Sequence, residues 1–331
     1  MFTTFLFLAG GLILILAGAE LFTNGVEWLG KKLKLSEGAV GSVLAAVGTA
    51  LPETVIPIVA ILYGAGEASE QIGVGAILGA PFMLATLALS ITGITALLCR
   101  VNGKHRKHML VDTSILKRDL GYFLGLYSLA VLAAFMPAYL RLPVAVVLVL
   151  SYLFYAYWTI KDGKEVDCQD LLPLHLCRNK KEPPLYLVIV QLGASLGGIV
   201  LGAHFFVDGI KHIAEVLHIS PLLLALFIAP VATELPEKFN SIIWVRKGKD
   251  TLAMGNITGA MVFQSSIIPA FGIAFTPWVL SDIAVISTLL ALSGAAVVYC
   301  TLLLKNRIRP SLLAANGSLY LAFVAAALAI Y

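Results

Sequence analysis

Two five-residue segments hold the residues best suited to chemistry in this sequence: Thr49-Ala50-Leu51-Pro52-Glu53 and Thr233-Glu234-Leu235-Pro236-Glu237. Both fit T-x-L-P-E, and each falls near the middle of a long apolar run. A charged side chain at the bilayer centre costs at least ~2.5–3.5 kcal/mol on insertion scales, so two symmetric instances ask for a function. Proline inside a helix deletes an i→i−4 hydrogen bond and crowds an earlier carbonyl. Pro52 with Pro57, and Pro230 with Pro236, therefore predict broken or kinked helices. Carbonyl oxygens released at that depth are tolerated where they line a cavity or meet an ion. A glutamate, a threonine hydroxyl and a released carbonyl form an all-oxygen set. Such a set suits hard cations such as Na⁺ or Ca²⁺, the latter taking about 6–8 oxygens. Two antiparallel copies facing each other would bring Glu53 and Glu237 to one metal site. The bland reading, protonated glutamates on merely kinked helices, leaves the symmetry unexplained.

Membrane helices must position these residues. Of 331 residues, 59% are hydrophobic and 13% charged, with a mean hydropathy of +0.92. That composition excludes a disordered chain, a coiled coil and a large soluble enzyme. The net charge of +4 is small and scattered between apolar runs, which excludes a nucleic-acid partner. A helical span needs about 20 mostly apolar residues. Ten such runs occur, at 3–29, 37–63, 71–98, 120–137, 140–160, 185–210, 219–245, 251–275, 277–303 and 311–331. Ala17-Gly18-Ala19 resembles a signal-peptidase site, but no basic n-region precedes it, so the first run is expected to stay as a span.

Loop charges set an orientation. Of the 23 Lys and Arg residues, 20 follow odd-numbered spans; Arg141, Lys211 and Lys238 are the exceptions. Odd loops are then cytoplasmic and both termini face outward. The 161–184 segment balances five basic against five acidic residues and reads as a solvated connector. Cys168, His175 and Cys177 within it are a weak metal signal, and a reduced, incidental pair is the expectation.

The chain also matches itself. Residues 18–29 align with 202–213, pairing Gly18 with Gly202 and Gly25 with Gly209. The same offset of 184 carries the two T-x-L-P-E segments onto each other. Gly75 and Gly79 pair with Gly255 and Gly259 at an offset of 180; small residues at this spacing let helices approach closely. Five spans per half is an odd number, so the halves enter the membrane from opposite sides. The expectation is an all-α polytopic membrane protein: ten transmembrane helices in two inverted five-helix repeats with helices 2 and 7 broken. Residues 1–160 form the first repeat, 161–184 the cytoplasmic connecting loop and 185–331 the second.

Two further features qualify the picture. Glu20 and Asn24, paired by the repeat with His204 and Asp208, read better as interhelical hydrogen-bonding groups than as an ion pathway. Glu234 has two readings of equal weight. It can pair locally with Lys238 at i,i+4, or it can add a third carboxylate to the cavity. In the second case like-charge repulsion favours proton coupling.

GTALPE and ATELPE, each followed by a glycine-rich span, resemble the two α-repeats of the calcium/cation antiporter superfamily, sodium/calcium exchanger type. The resemblance covers nearly the whole chain. It implies ten helices in two inverted halves, with cations bound between spans two, three, seven and eight. It carries the acidic ligands onto Glu53 and Glu237, the threonines onto Thr49 and Thr233, and a backbone carbonyl onto Ala46 and Pro230. The serine that usually follows the motif threonine is Ala50 in one half and Glu234 in the other. Polar positions in spans three and eight hold Ala80 and Leu84, and Ala260 and Gln264.

These features point to a secondary cation antiporter, exchanging Ca²⁺ or a related cation against Na⁺ at a midplane site. The candidate set is Glu53, Glu237, Thr49, Thr233, Glu234, Ala46, Pro230 and Gln264, with Pro52 and Pro236 shaping the helices. No cofactor is implied, since no Walker-type phosphate loop is present. The partners are inorganic cations and the bilayer. A short chain without a long regulatory loop suggests a prokaryotic inner membrane. A proton-coupled exchanger using Glu234, a non-transporting cation sensor and an intramembrane hydrolase are the alternatives. The last lacks both H-E-x-x-H and G-x-S-x-G.

Overall fold

The computed structural model describes residues 2–33, 50–101, 104–162, 172–178 and 182–330, with the backbone alone at 2–3, 100–101, 104–105, 160, 162, 235–240 and 330. Thirteen helices account for most of it: α1 (Phe2–Lys32), α2 (Leu51–Leu62), α3 (Glu67–Met83), α4 (Leu89–Leu98), α5 (Thr113–Leu132), α6 (Ala138–Asp162), α7 (Leu185–Leu217), α8 (Pro221–Arg246), α9 (Asp250–Gln264), α10 (Ile267–Phe275), α11 (Asp282–Lys305), α12 (Pro310–Ala315) and α13 (Gly317–Ile330). A two-residue antiparallel pair, Arg100–Val101 with Lys104–His105, turns the chain between α4 and α5. Among the described residues, eight helical stretches are long and apolar enough to cross a membrane. Two shorter apolar stretches, Leu51–Leu62 and Pro221–Glu234, accompany them. The chain forms two compact units, residues 1–70 with 153–218 and residues 71–152 with 219–331.

In the first unit α1 lies antiparallel against α7, with α2 beside them. The crossing is close because glycine faces it from both sides. A methyl group built on Gly18 would sit 2.6 Å from Ile199 Cγ1, and one on Gly202 would sit 3.0 Å from Ile15 Cγ1. One on Gly25 would meet Leu192, and one on Gly209 would meet Leu8. Each contact becomes another when 184 is added or subtracted, so the contacts themselves repeat at the offset found in the sequence. Lipid tails are as apolar as leucine, so such backbone approach and interhelical hydrogen bonds must hold the pair. Asn24 supplies one: its Oδ1 accepts from Gln191 Nε2 at 3.0 Å.

Within the connector, the described stretch 172–178 is exposed at Leu172, Pro173, Leu176 and Arg178, yet it is anchored to the first unit at one point. Leu174 is fully buried against Trp28 and Val188, with Cys177 packed on the cluster. Trp28 Nε1 donates to the Leu172 carbonyl at 2.9 Å, and the His175 N–H donates to Asn24 Oδ1 at 3.2 Å. The charge count missed this because the balancing charges flank an apolar Leu-Leu-Pro-Leu stretch. Cys168 lies outside the described residues.

The second unit is built around the Glu67–Leu98 stretch, which is almost wholly buried. A single π-helical turn, Leu84–Ala88, separates α3 from α4 a few residues after Pro81. Asn316, which splits α12 from α13, donates through Nδ2 to the Ala85 carbonyl at 3.1 Å and the Gly294 carbonyl at 3.2 Å. One buried amide thereby ties the π turn to α11.

Spans seven and eight differ from expectation in opposite ways. α8 runs unbroken from Pro221 to Arg246 through both Pro230 and Pro236. Each proline removes only its own N–H, and the bonds on either side keep the helix continuous. The discontinuity falls instead in span eight, at Ser265–Ser266 between α9 and α10. There Ser265 Oγ donates to the Val262 carbonyl at 3.0 Å, and Ser266 Oγ to the same carbonyl at 2.6 Å. Pro269 brings no N–H for the Ser265 carbonyl, so local hydroxyl bonding replaces the helical pattern at this point.

Candidate functional site

Candidate residues occur in both units. In the first, Ala50 precedes α2 as its N-cap and Pro52 lies in the first turn, where a missing N–H costs nothing. Glu53 also lies in that turn, 7% exposed, and a helix N-terminus favours a carboxylate. Pro57 gives the Glu53 carbonyl no helical donor. Thr54 Oγ1 donates to the Ala50 carbonyl at 2.6 Å, closing the same turn. Thr49 and Ala46 lie outside the described residues.

In the second unit the residues form a tighter group. Thr233 and Glu234 are each 1% exposed on α8, and Thr233 Oγ1 donates back to the Ala229 carbonyl at 3.0 Å. Gln264, the last residue of α9, is 2% exposed and donates through Nε2 to Glu234 Oε1. Its amide oxygen, buried too, has no hydrogen-bond partner among the described residues. The sequence left Glu234 between Lys238 and the cavity; its carboxylate takes the Gln264 amide. The Lys238, Glu237 and Pro236 side chains lie outside the description, although all three residues fall within α8.

Pro230 performs a packing task. It has no N–H for the Leu226 carbonyl, and that oxygen lies against Gly79 of α3, so close that any Cβ there would collide. Gly75 meets the Leu222 carbonyl in the same way, at 2.5 Å from a methyl position. Glycine on α3 thus lets α8 approach to backbone contact beside Thr233 and Glu234. The paired glycines Gly255 and Gly259 meet nothing within 4 Å among the described residues. Ala80 and Leu84, at the polar positions of span three, are buried and bring no oxygen.

Sequence reasoning missed three buried polar residues of the second unit. Ser265 and Ser266, both fully buried, end α9 directly after Gln264, and the signal was a Ser-Ser pair three residues before Pro269. Asp119 on α5 is 2% exposed and accepts from Thr258 Oγ1 on α9 at 2.8 Å. Outside this group, Glu20 is exposed and lies 3.9 Å from His175 Nε2, His204 bonds the Val200 carbonyl of its own turn, and Asp208 lies 3.9 Å from Lys211. Among the described residues no three or more His, Cys, Asp or Glu converge on a metal-sized site. In the second unit the carboxylate of Glu234 is set beside the Gln264 amide and near the Thr233 hydroxyl, and oxygen donors of this kind suit hard cations.

The sodium/calcium exchanger protein family matches residues 3–161 and 187–330, on both sides of the connector. The chain belongs to that family. Sodium/calcium exchanger MaX1 of Methanosarcina acetivorans is 24% identical over 319 residues, covering 86% of each chain. Inner membrane protein YrbG of Escherichia coli K12 is 24% identical over 277 residues, covering 83% of this chain and 80% of that one. In structure, this sodium/calcium exchanger family member is similar to the H⁺/Ca²⁺ exchanger CAX, with a TM-score of 0.71, 20% identity, and coverage of 97% of this chain and 81% of that chain. It is also similar to the sodium-calcium exchanger NCX_Mj, with a TM-score of 0.58, 23% identity, and coverage of 97% and 98%. These likenesses give the fold, that of integral membrane exchangers. The family and its structural neighbours are transporters of inorganic cations.

Proposed function

We propose that this protein is a secondary active antiporter exchanging Ca²⁺, or a related cation, against Na⁺ by alternating access. Its site is assigned to Glu53, Thr49 and the Ala46 carbonyl from one half, and to Thr233, Glu234, Glu237, Gln264 and the Pro230 carbonyl from the other. The observation that carries the reading is the Glu234–Gln264 pair, which sets a carboxylate and a carboxamide from two helices together inside the protein. The contacts of α1 with α7 that repeat at an offset of 184 support two inverted five-span halves. A two-fold axis relating antiparallel helices has this signature. The excess of basic residues in odd loops supports a cytoplasmic connector and outward termini, in a prokaryotic inner membrane.

The test is ⁴⁵Ca²⁺ uptake into proteoliposomes under an imposed Na⁺ gradient. Glu53→Gln and Glu237→Gln each reduce gradient-driven exchange by at least tenfold; wild-type exchange in both variants discards the assignment. A second reading takes H⁺ as the driving ion, carried by Glu234. It is favoured by the near-complete burial of this extra carboxylate against a neutral amide. Uptake that follows an imposed pH gradient, and ignores Na⁺, replaces the first reading with this one.

A further inference from the structure

The end of the second unit where α11 stops carries cations that transport chemistry does not use. α11 closes at Lys305, Asn306 caps it at a left-handed φ of 48°, and Arg307 and Arg309 follow before α12. Among the described residues none of Lys305, Arg307 and Arg309 makes an ion pair. With Thr301, Ser311, Leu312 and Ala315 they line a cavity of about 330 Å³; the Thr301 hydroxyl donates to the Val297 carbonyl of its own helix. Lys117 reaches the same corner, its Nζ donating to Asn306 Oδ1. The corner is electropositive enough to act on its surroundings. The loop residue His108 is pressed toward its neutral form, first by desolvation and then by Arg307, Arg309 and Lys107.

From Lys117 a second cavity, of about 500 Å³, runs along α5 past Gly121 and Gly125 to Leu126, with Tyr122 and Tyr299 on its sides. Its floor is cut low by glycine. A methyl group on Gly125 would meet nothing within 4 Å, and one on Gly121 would touch the Tyr299 ring at 3.4 Å or more. Gly121 and Gly125 share a helix face at i,i+4. At 1.5 Å per residue, the groove from Lys117 to Leu126 extends about 14 Å down the helix.

Cations beside hydroxyls match a phosphate, and a basic pocket between membrane helices is a recurrent headgroup site. A free phosphate would use the first cavity and leave the groove unexplained; an amphiphile uses both. We propose that this corner binds an anionic phospholipid. Lys305, Arg307, Arg309 and Lys117 hold its phosphate, and one acyl chain lies in the groove between α5 and α11.

The test is native mass spectrometry and thermal unfolding of the purified full chain in neutral detergent, with phosphatidylglycerol, phosphatidylcholine or soluble glycerol phosphate added. The wild type binds phosphatidylglycerol at least tenfold more tightly than phosphatidylcholine. Arg307→Gln with Arg309→Gln abolishes that preference, whereas Arg246→Gln with Lys247→Gln, in another basic loop, leaves it intact. Gly125→Leu fills the groove and weakens phosphatidylglycerol binding severalfold, with the lipid-free melting temperature and glycerol phosphate binding unchanged. Equal binding of the two lipids overturns the proposal. So does equal loss in both arginine-loop variants, which reduces the effect to general surface charge. Phosphatidylglycerol binding that survives Gly125→Leu and is fully displaced by glycerol phosphate makes the corner a pocket for a free anion and also overturns it.

Discussion

Gln264 holds Glu234 through a single amide N–H, and that bond is open to direct substitution. Gln264→Leu keeps the volume and removes the donor, leaving a buried carboxylate short of one hydrogen bond. Leaving a buried polar group unsatisfied costs about 1–3 kcal/mol. The expected outcome is a lower melting temperature in detergent, together with a raised KM for cation uptake. A side chain that only filled space would lower the melting temperature and leave KM alone. At the opposite extreme of exposure, Asp112 caps α5 by accepting from the Ser114 N–H at 2.9 Å and the Ser114 hydroxyl at 2.6 Å. The hydroxyl, then the N–H, holds its carboxyl below the ordinary value of 3.8. A carboxyl depressed in the folded state stabilises fully above its unfolded pKa, and loses that contribution as pH falls through the depressed value. Asp112→Ala therefore costs about 0.5–2 kcal/mol at neutral pH. Unfolding midpoints measured from pH 7 down to pH 3 should converge for the two proteins only below about pH 4. Glu234 was legible from its place in a repeated motif and Gln264 from a polar position of span eight, but the bond between them joins residues thirty apart and had no sequence signal.

Between helices, proline marked positions more reliably than it marked breaks. Pro52 does lie at a helix start, because the first turn needs no N–H there. Pro230 and Pro236 sit inside a continuous α8. The real interruption in α9–α10 came from Ser265 and Ser266, whose hydroxyls compete for carbonyls, a weaker sequence cue than proline. The role of Pro230 was legible only in three dimensions. The carbonyl of Leu226, deprived of its helical donor, rests on Gly79, a contact no spacing rule anticipates. Gly79→Val places two methyl groups against that carbonyl and Pro230, which forces α3 off α8. Overpacking of this kind costs about 1–3 kcal/mol. We expect reduced thermal stability with loss of cation exchange, whereas Gly255→Ala, facing open space, retains both; melting curves and uptake assays separate them. The π turn at Leu84–Ala88 belongs to the same class of hidden feature. Pro81 hinted at irregularity, yet the group that stabilises the turn, Asn316, is 231 residues away.

For the whole chain, periodicity and charge said most, because a membrane constrains helices to long apolar runs and sorts basic loops by side. Thr49 and Ala46 fall on residues that are not described, so the first half of the site rests on Glu53. In the connector, net charge could not register that Leu174 is anchored against Trp28. The α1–α7 crossing yields the last prediction. Gly18→Leu and Gly202→Leu press on equivalent surroundings, Ile199 and Ile15, and should lower stability by similar amounts, about 1–3 kcal/mol each. Gly193→Leu, on the open side of α7, should be nearly neutral. Unfolding in detergent measures all three. A surface in which residue i meets j while the mate of j meets the mate of i is the rule for a symmetric homodimer. α1 and α7 follow it inside one polypeptide. Such a seam is self-complementary, so two half-length chains carrying these faces would recognise each other in opposite orientations, with no need for a covalent link. Around glycines that match at the offset of 184, the polar residues differ: Asn24 bonds Gln191 across the seam, whereas its counterpart Asp208 lies 3.9 Å from Lys211 of its own helix.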